Sequence, residues 1–166
     1  MSLELIQVES GPALDDLRRL FREYAQSLNF NLCFESFEDE LRQLPGAYSP
    51  PSGRLLLSRV DGELAGCVAM RRLEPRVCEM KRLYVRPAFR GRKLGLQMVN
   101  RLVREAREAG YSAMRLDTIA GAMDNAISLY RSVGFREIAP YSANPIEGAI
   151  YMELDLDNHL TEAERI

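Results

Sequence analysis

The stretch CEMKRLYVRPAFRGRKLGLQMVNRLVREAR, residues 78–107, decides the fold, because it passes from strand to loop to helix. Cys78 to Val85 mixes polar and apolar residues as a strand does. A Pro87-Ala88-Phe89 turn follows. Arg90-Gly91-Arg92-Lys93-Leu94-Gly95 is then a short basic loop that opens straight into an amphipathic helix. The first N–H groups of a helix lack intrahelical partners and lie at the positive end of its dipole, so a diphosphate can accept several of them there. Gly91 and Gly95 remove side chains that would hold phosphate oxygens off the backbone, and Arg90, Arg92 and Lys93 add charge. Each charge-assisted bond is worth roughly 1.5–3 kcal/mol. By composition alone the same residues also suit a basic turn that contains glycine. Neither GxxxxGK[ST] nor GxGxxG occurs here.

Working outward, the meander before this stretch is plain. Arg54 to Val60 is a strand, Asp61-Gly62 a tight hairpin turn, Glu63 to Leu73 the next strand, and Cys78 to Val85 the third. Leu94, Met98, Leu102, Val103 and Ala106 form the inward stripe of the helix, and Gly110 ends it. Ser112 to Thr118 is short and β-like. A right-handed crossover makes it parallel to Cys78–Val85. Gly121 to Val133 reads as a helix closed by Gly134, and Phe135–Ala139 and Ala149–Leu156 as two last strands around a Tyr141–Gly148 loop. Towards the N-terminus, Leu3 to Val8 is a first strand. Ser10-Gly11-Pro12 then starts a helix of about four turns striped by Leu14, Leu17, Leu20, Phe21, Tyr24, Ala25 and Leu28. Ser36-Phe37-Glu38-Asp39 resembles a capping box opening a second helix, which Pro45-Gly46 ends. These elements build a mixed α/β sheet flanked by helices.

At 166 residues the chain suits one domain with a real core, expected over residues 1–156, with a polar C-terminal tail at 157–166. A formal charge of −2 gives nucleic-acid binding no global support. The charge is uneven, however: Arg71, Arg72, Arg76, Lys81, Arg82, Arg86, Arg90, Arg92 and Lys93 form a basic band that fits an anionic small molecule better than a duplex. The three cysteines, Cys33, Cys67 and Cys78, show neither metal nor disulfide spacing, which points to a reducing, cytoplasmic setting. No apolar run approaches a membrane span, and the single His159 lies in the tail. No metal, nucleic acid or membrane partner is expected, and a homodimer stays open.

Four segments resemble the GNAT superfamily of acetyl-CoA-dependent N-acetyltransferases. Arg90-x-x-Lys93-x-Gly95 is similar to that family's [QR]xxGx[GA] pyrophosphate loop. Glu79 to Val85 resembles its central strand and Leu116-Asp117-Thr118 its next strand. Asn125-Ala126-Ile127-Ser128-Leu129-Tyr130-Arg131-Ser132-Val133-Gly134-Phe135 resembles its N-A-x-x-L-Y-x-x-x-G-F segment. The likeness covers about residues 54 to 155. Lys93 is a departure, since it stands where the pattern has its first loop glycine. Its side chain either points away from the diphosphate or binds it.

The resemblance implies a mostly antiparallel central sheet with two splayed parallel strands, flanked by about four helices, and a co-substrate, acetyl-CoA, entering the gap. It implies direct transfer of an acetyl group to a primary amine, with the diphosphate at Arg90, Gly91, Arg92, Lys93, Leu94 and Gly95. The backbone of Leu83, Tyr84 and Val85 would pair with the pantetheine arm. Asn125 would help hold the cofactor, or cap its own helix. Tyr130 matches the proton donor to the leaving thiolate; with a pKa near 10 it is neutral at pH 7. Glu79 is the expected base, its alternative being an ion pair with Lys81 or Arg82. Strict alternation puts Lys81 on the face of Glu79 and Arg82 opposite, unless a bulge reverses this. Cys78 is a further nucleophile candidate, but no base partner is evident. The acceptor is expected between the first two helices and the Tyr141–Gly148 loop, with Phe30, Phe34, Tyr48 and Tyr141 as walls. A small amine or amino-acid-like metabolite is the first expectation. A protein lysine or N-terminus, or a non-catalytic acyl-CoA-sensing module, is the alternative.

Overall fold

The computed structural model describes residues 2–28, 36–121 and 123–157. The elements run β1 (Leu3–Gln7), α1 (Ala13–Ser27), α2 (Phe37–Gln43), β2 (Arg54–Val60), β3 (Glu63–Glu74), β4 (Val77–Val85), α3 (Leu94–Glu108), β5 (Ala113–Ile119), α4 (Asp124–Val133), β6 (Arg136–Ile138) and β7 (Ala149–Asp155). The strands form one seven-stranded sheet in the order β1-β2-β3-β4-β5-β7-β6. Every neighbouring pair is antiparallel except β4 and β5, which are parallel. No helix among the described residues is long and apolar enough to cross a membrane.

Local chemistry accounts for most of the boundaries. Asp61 and Gly62 both take positive φ, 51° and 83°, as a two-residue turn matched to strand twist requires. Gly134 ends α4 at φ 119°, a conformation costly for any residue with a Cβ. The capping box at the start of α2 does not form. Ser36 is itself left-handed, at φ 55° and ψ 45°, and makes no side-chain cap bond. Glu38, Asp39 and Glu40 in the first turn instead place negative charge at the positive end of the helix dipole.

Two apolar layers sandwich the sheet. One gathers Met98, Leu102 and Val103 of α3 and Tyr130 and Val133 of α4 against Met70, Cys78 and Met80. The other gathers Leu17, Leu20 and Phe21 of α1 and Leu41 of α2 against Leu55, Leu57, Cys67 and Tyr84. Tyr48, expected to line the acceptor site, is buried in this second layer, its ring edge-on to Phe21 at 6.3 Å. Phe30, Phe34, Cys33 and His159 lie outside the described residues.

The sheet is irregular where β4 turns. Cys67 pairs with Tyr84 and Ala69 with Lys81, so β4 carries one more residue than β3 across that interval. The extra residue is Arg82, at φ 62°. A bulge of this kind bends the strand and re-aims side chains. It turns Arg82 to the α1/α2 side, where its Nε and Nη2 both donate to Glu40 of α2 at 2.9 Å and its guanidinium lies over the Phe37 ring. Arg82 thus shares the face of Glu79, the reverse of strict alternation. Beyond the bulge, β4 and β5 no longer meet. Their pairing is confined to Val77–Glu79 with Ala113–Arg115, while β3 continues to hold β4 and β7 holds β5 along its whole length. The two parallel strands therefore splay.

Candidate active site

A cavity of about 370 Å³ occupies the gap between the splayed strands, a volume suited to a small ligand or part of a larger one. β4 contributes Leu83, Tyr84 and Val85, whose edges towards β5 have no strand partner. Arg90, Asn125 and Tyr130 also line it. Six residues proposed from sequence therefore converge on one space.

The basic loop follows directly from Arg90 in the cavity wall. Gly91, Arg92 and Lys93 are exposed. Gly91 needs its missing Cβ, since it sits at φ 82°. Lys93, the departure from the family pattern, is the N-cap of α3 at φ 60° and ψ 22°, and makes no side-chain cap bond. A left-handed backbone explains why glycine suits this place. It also leaves the first-turn N–H groups of α3 for an outside acceptor. The Leu94 side chain is buried in the α3 layer, which leaves its backbone for the expected contact. A Cβ on Gly95 would come to 3.4 Å from Leu129 Cδ2, an ordinary contact with a side-chain end.

Three cations of the basic band are paired with carboxylates. Arg71 pairs with Glu79, Arg82 with Glu40, and Arg86 with Glu23. Arg90 donates from Nε to the Val85 carbonyl at 3.0 Å, and Arg92 lies over the Phe89 ring. Arg90, Arg92 and Lys93 have no carboxylate partner among the described residues. Of these three, Arg90 lines the cavity, and Arg92 and Lys93 follow it in the exposed loop.

Tyr130 is buried at 8 % exposure beside Phe135, ring centres 5.7 Å apart. Burial pushes its hydroxyl above the usual tyrosine range, and the nearby Tyr24 and Asp117 add to this. It stays protonated at neutral pH, as a proton donor must. Asn125 is not the cap of α4. Met123 is the N-cap, and the Asp124 carboxylate accepts from the Gly121 N–H at 2.8 Å. Asn125 faces the cavity.

Glu79 is placed otherwise than its sequence suggests. It is 3 % exposed and does not line the cavity. Arg71, directly across on β3, is a cationic partner that sequence proximity did not suggest. Arg71 donates to Oε1 from Nε at 2.9 Å and Nη2 at 2.8 Å. Tyr141 donates its hydroxyl to Oε2 at 2.7 Å. Cys78 is fully buried, its thiol pushed up to about 12 chiefly by burial, so it stays protonated and unreactive at neutral pH.

Sequence reasoning missed several polar residues of the cavity, Asp117 and Asn144 among them. Asn144 Nδ2 donates to Asp117 Oδ2 at 2.9 Å. A carboxylate in a short β-like run was a signal, but its direction depends on the splay of β4 and β5.

The comparisons agree with this geometry. Residues 14–135 match the family model described as Acetyltransferase (GNAT) family. The chain is 42 % identical, over 157 residues, to an uncharacterized N-acetyltransferase of Schizosaccharomyces pombe, covering 93 % of this chain and 96 % of that one. An uncharacterized N-acetyltransferase of Dictyostelium discoideum is 31 % identical over 199 aligned positions, covering 83 % and 92 %. Among solved structures, the PaiA N-acetyltransferase of Thermoplasma acidophilum in complex with coenzyme A has the same fold, with a TM-score of 0.73 at 20 % identity, covering 93 % and 99 %.

Proposed function

The chain belongs to the acetyltransferase (GNAT) family, and on that premise we propose that it moves an acetyl group from acetyl-CoA directly to the primary amine of a small, amino-acid-like metabolite. The observation that carries this reading is the cavity between β4 and β5, with Arg90 and Tyr130 in its wall and the basic loop following from Arg90. The first-turn amides of α3, with Arg90, Arg92 and Lys93, would take the diphosphate. The open edges of Leu83 to Val85 would pair with the pantetheine arm, and Asn125 would hold it from the α4 side. The thioester then lies beside Tyr130.

In the reaction the amine nitrogen attacks the thioester carbon, a C–N bond forms and the C–S bond breaks. The Tyr130 hydroxyl protonates the departing thiolate, and the nitrogen loses a proton that restores the phenol. The acceptor must first be neutral. An alkyl amine has a pKa near 10.4, so supplying the neutral form at pH 7 costs about 4.6 kcal/mol, which a carboxylate near the amine offsets. Glu79, reached through a water, is the carboxylate that the sequence resemblance suggests. A small acceptor is favoured over a protein segment because the stretch from Tyr141 to Asn144 is tied down on the acceptor side by bonds to Glu79 and Asp117.

The test is thiol release from acetyl-CoA across a panel of primary amines, amino acids and lysine peptides. Turnover concentrated among the small amines is expected. Preference for the peptides would move the assignment to protein acetylation. Saturable acetyl-CoA binding without release on any acceptor would mark a sensing module.

A further inference from the structure

We propose that Asp117 receives the ammonium group of the acceptor, and that Glu79 is a positioning residue which acts on it through the segment from Tyr141 to Asn144. The inference rests on the acetyl-transfer reading above and names the residues that meet the acceptor.

Two carboxylates flank the reacting region, and their surroundings differ. Glu79 is outside the cavity, and both its oxygens are engaged, Oε1 by Arg71 and Oε2 by Tyr141. Asp117 is in the cavity wall on β5, in the run facing the gap. Its Oδ2 accepts from Asn144, while its Oδ1 accepts no hydrogen bond among the described residues. The Asn144 amide is oriented by its other end, since Oδ1 accepts from the Ile146 N–H at 2.9 Å. That turns Nδ2 to Asp117. Asp117 is also close enough to Tyr130 to raise its hydroxyl, so an amine between them lies beside the thioester.

The link from Glu79 to Asp117 is short. Tyr141, three residues before Asn144, is fixed by its bond to Glu79. Its ring packs edge-on to Tyr151 at 5.1 Å, and Arg115 lies over it at 5.5 Å. The Tyr151 hydroxyl, on β7, donates to the Ser142 carbonyl at 2.7 Å. The segment is thereby anchored to both splayed strands. Loosening the Tyr141 end frees the Asn144 end, and with it the orientation of Asp117.

Protons balance as follows. The ammonium gives one proton to Asp117, which passes it to solvent. The neutral amine attacks, the C–S bond breaks, Tyr130 protonates the thiolate, and the second nitrogen proton restores Tyr130. The titratable and charged groups around Asp117 are Tyr130 on α4, Tyr24 on α1, Lys81 and Arg82 on β4, Tyr151 opposite on β7, Tyr141 on the anchored segment, and Arg90 in the cavity wall. Arg82 is bound to Glu40, and Arg115, two residues back, to Glu74 and Glu153.

The experiment compares D117N, E79Q and Y141F with the parent on an alkyl amine that the parent acetylates. kcat/KM is measured from pH 6 to 10, and acetyl-CoA affinity by calorimetry. D117N should lose about 10²- to 10⁴-fold at neutral pH, with the deficit shrinking as the amine loses its proton unaided. E79Q and Y141F should share a smaller loss, up to about 10²-fold, mostly in KM and independent of pH. Acetyl-CoA affinity should be unchanged in all three. A deficit in E79Q that shrinks with pH overturns the assignment, as does D117N within twofold of the parent, or Y141F that is normal where E79Q is impaired. Thiol release by the parent with a normal D117N removes this inference alone. No release by the parent on any amine overturns the functional reading and this inference with it.

Discussion

Replacing Lys93 separates backbone strain from charge at one position. Lys93 holds φ 60° at the N-cap of α3, and a left-handed conformation costs an L-residue about 1–2 kcal/mol. Glycine removes that cost but loses more chain entropy on folding, about 0.5–1 kcal/mol. The net for Lys93→Gly is therefore a gain of about 0.5–1 kcal/mol. For a chain of this size that raises Tm by about 1–4 °C. Lys93→Ala removes the same charge but keeps the left-handed strain, so it should gain nothing. Both variants remove an exposed cation, worth about 0.2–1 kcal/mol to a nearby anion, so acetyl-CoA Kd should rise by less than about fivefold and its salt dependence should fall. Thermal unfolding reads the first effect and calorimetry at two salt concentrations the second. If Lys93→Gly is no more stable than Lys93→Ala, the strain argument is refuted. If Kd and its salt slope are unchanged in both, the ammonium points away from the diphosphate.

Tyr130→Phe keeps the ring that packs on Phe135 and removes the hydroxyl, so turnover should fall roughly 10²- to 10⁴-fold with acetyl-CoA affinity intact; activity within twofold of the parent would return Tyr130 to the core. Glu23 is held below the usual carboxylate range by its hydrogen bond to Arg86, against the opposing effect of burial. Because the folded pKa is the depressed one, its contribution is complete above the unfolded value of about 4.3 and fades as pH falls through the folded value. Glu23→Gln should flatten the acid limb of a stability–pH curve below about pH 4.5, and an unchanged limb would show that the Arg86 bond adds nothing.

What could be read from the chain divides along local and non-local lines. The striping of α1 and α3, the Asp61-Gly62 hairpin and the strand–loop–helix order of residues 78–107 depend on near neighbours, and the structure has them. The capping box at Ser36 depended on near neighbours too, but Ser36 took a left-handed backbone and makes no side-chain cap bond. The pairing of Glu79 with Arg71 was not foreseen, for a different reason. Lys81 and Arg82 are near it in sequence, whereas Arg71 meets it only through the β3–β4 register, and the bulge at Arg82 breaks the alternation on which the faces were assigned. Asp117 was visible as a charge within a strand. Its meeting with Asn144 needed both the splay of β4 from β5 and the fold of the segment before β7, neither of which has a signature in spacing.

The account stands on acetyl-CoA binding at the N-terminus of α3, in the gap between β4 and β5. The most direct measurement is a calorimetric titration of acetyl-CoA into the parent chain and into Gly95→Asp. A Cβ at Gly95 meets Leu129 only at 3.4 Å, and a carboxylate in the first turn suits the helix dipole, so the variant should remain folded. The same carboxylate would sit where the diphosphate belongs and repel it. Saturable binding by the parent, lost in a folded Gly95→Asp, is the predicted result; equal affinity in the two, or no binding by the parent, would contradict the account.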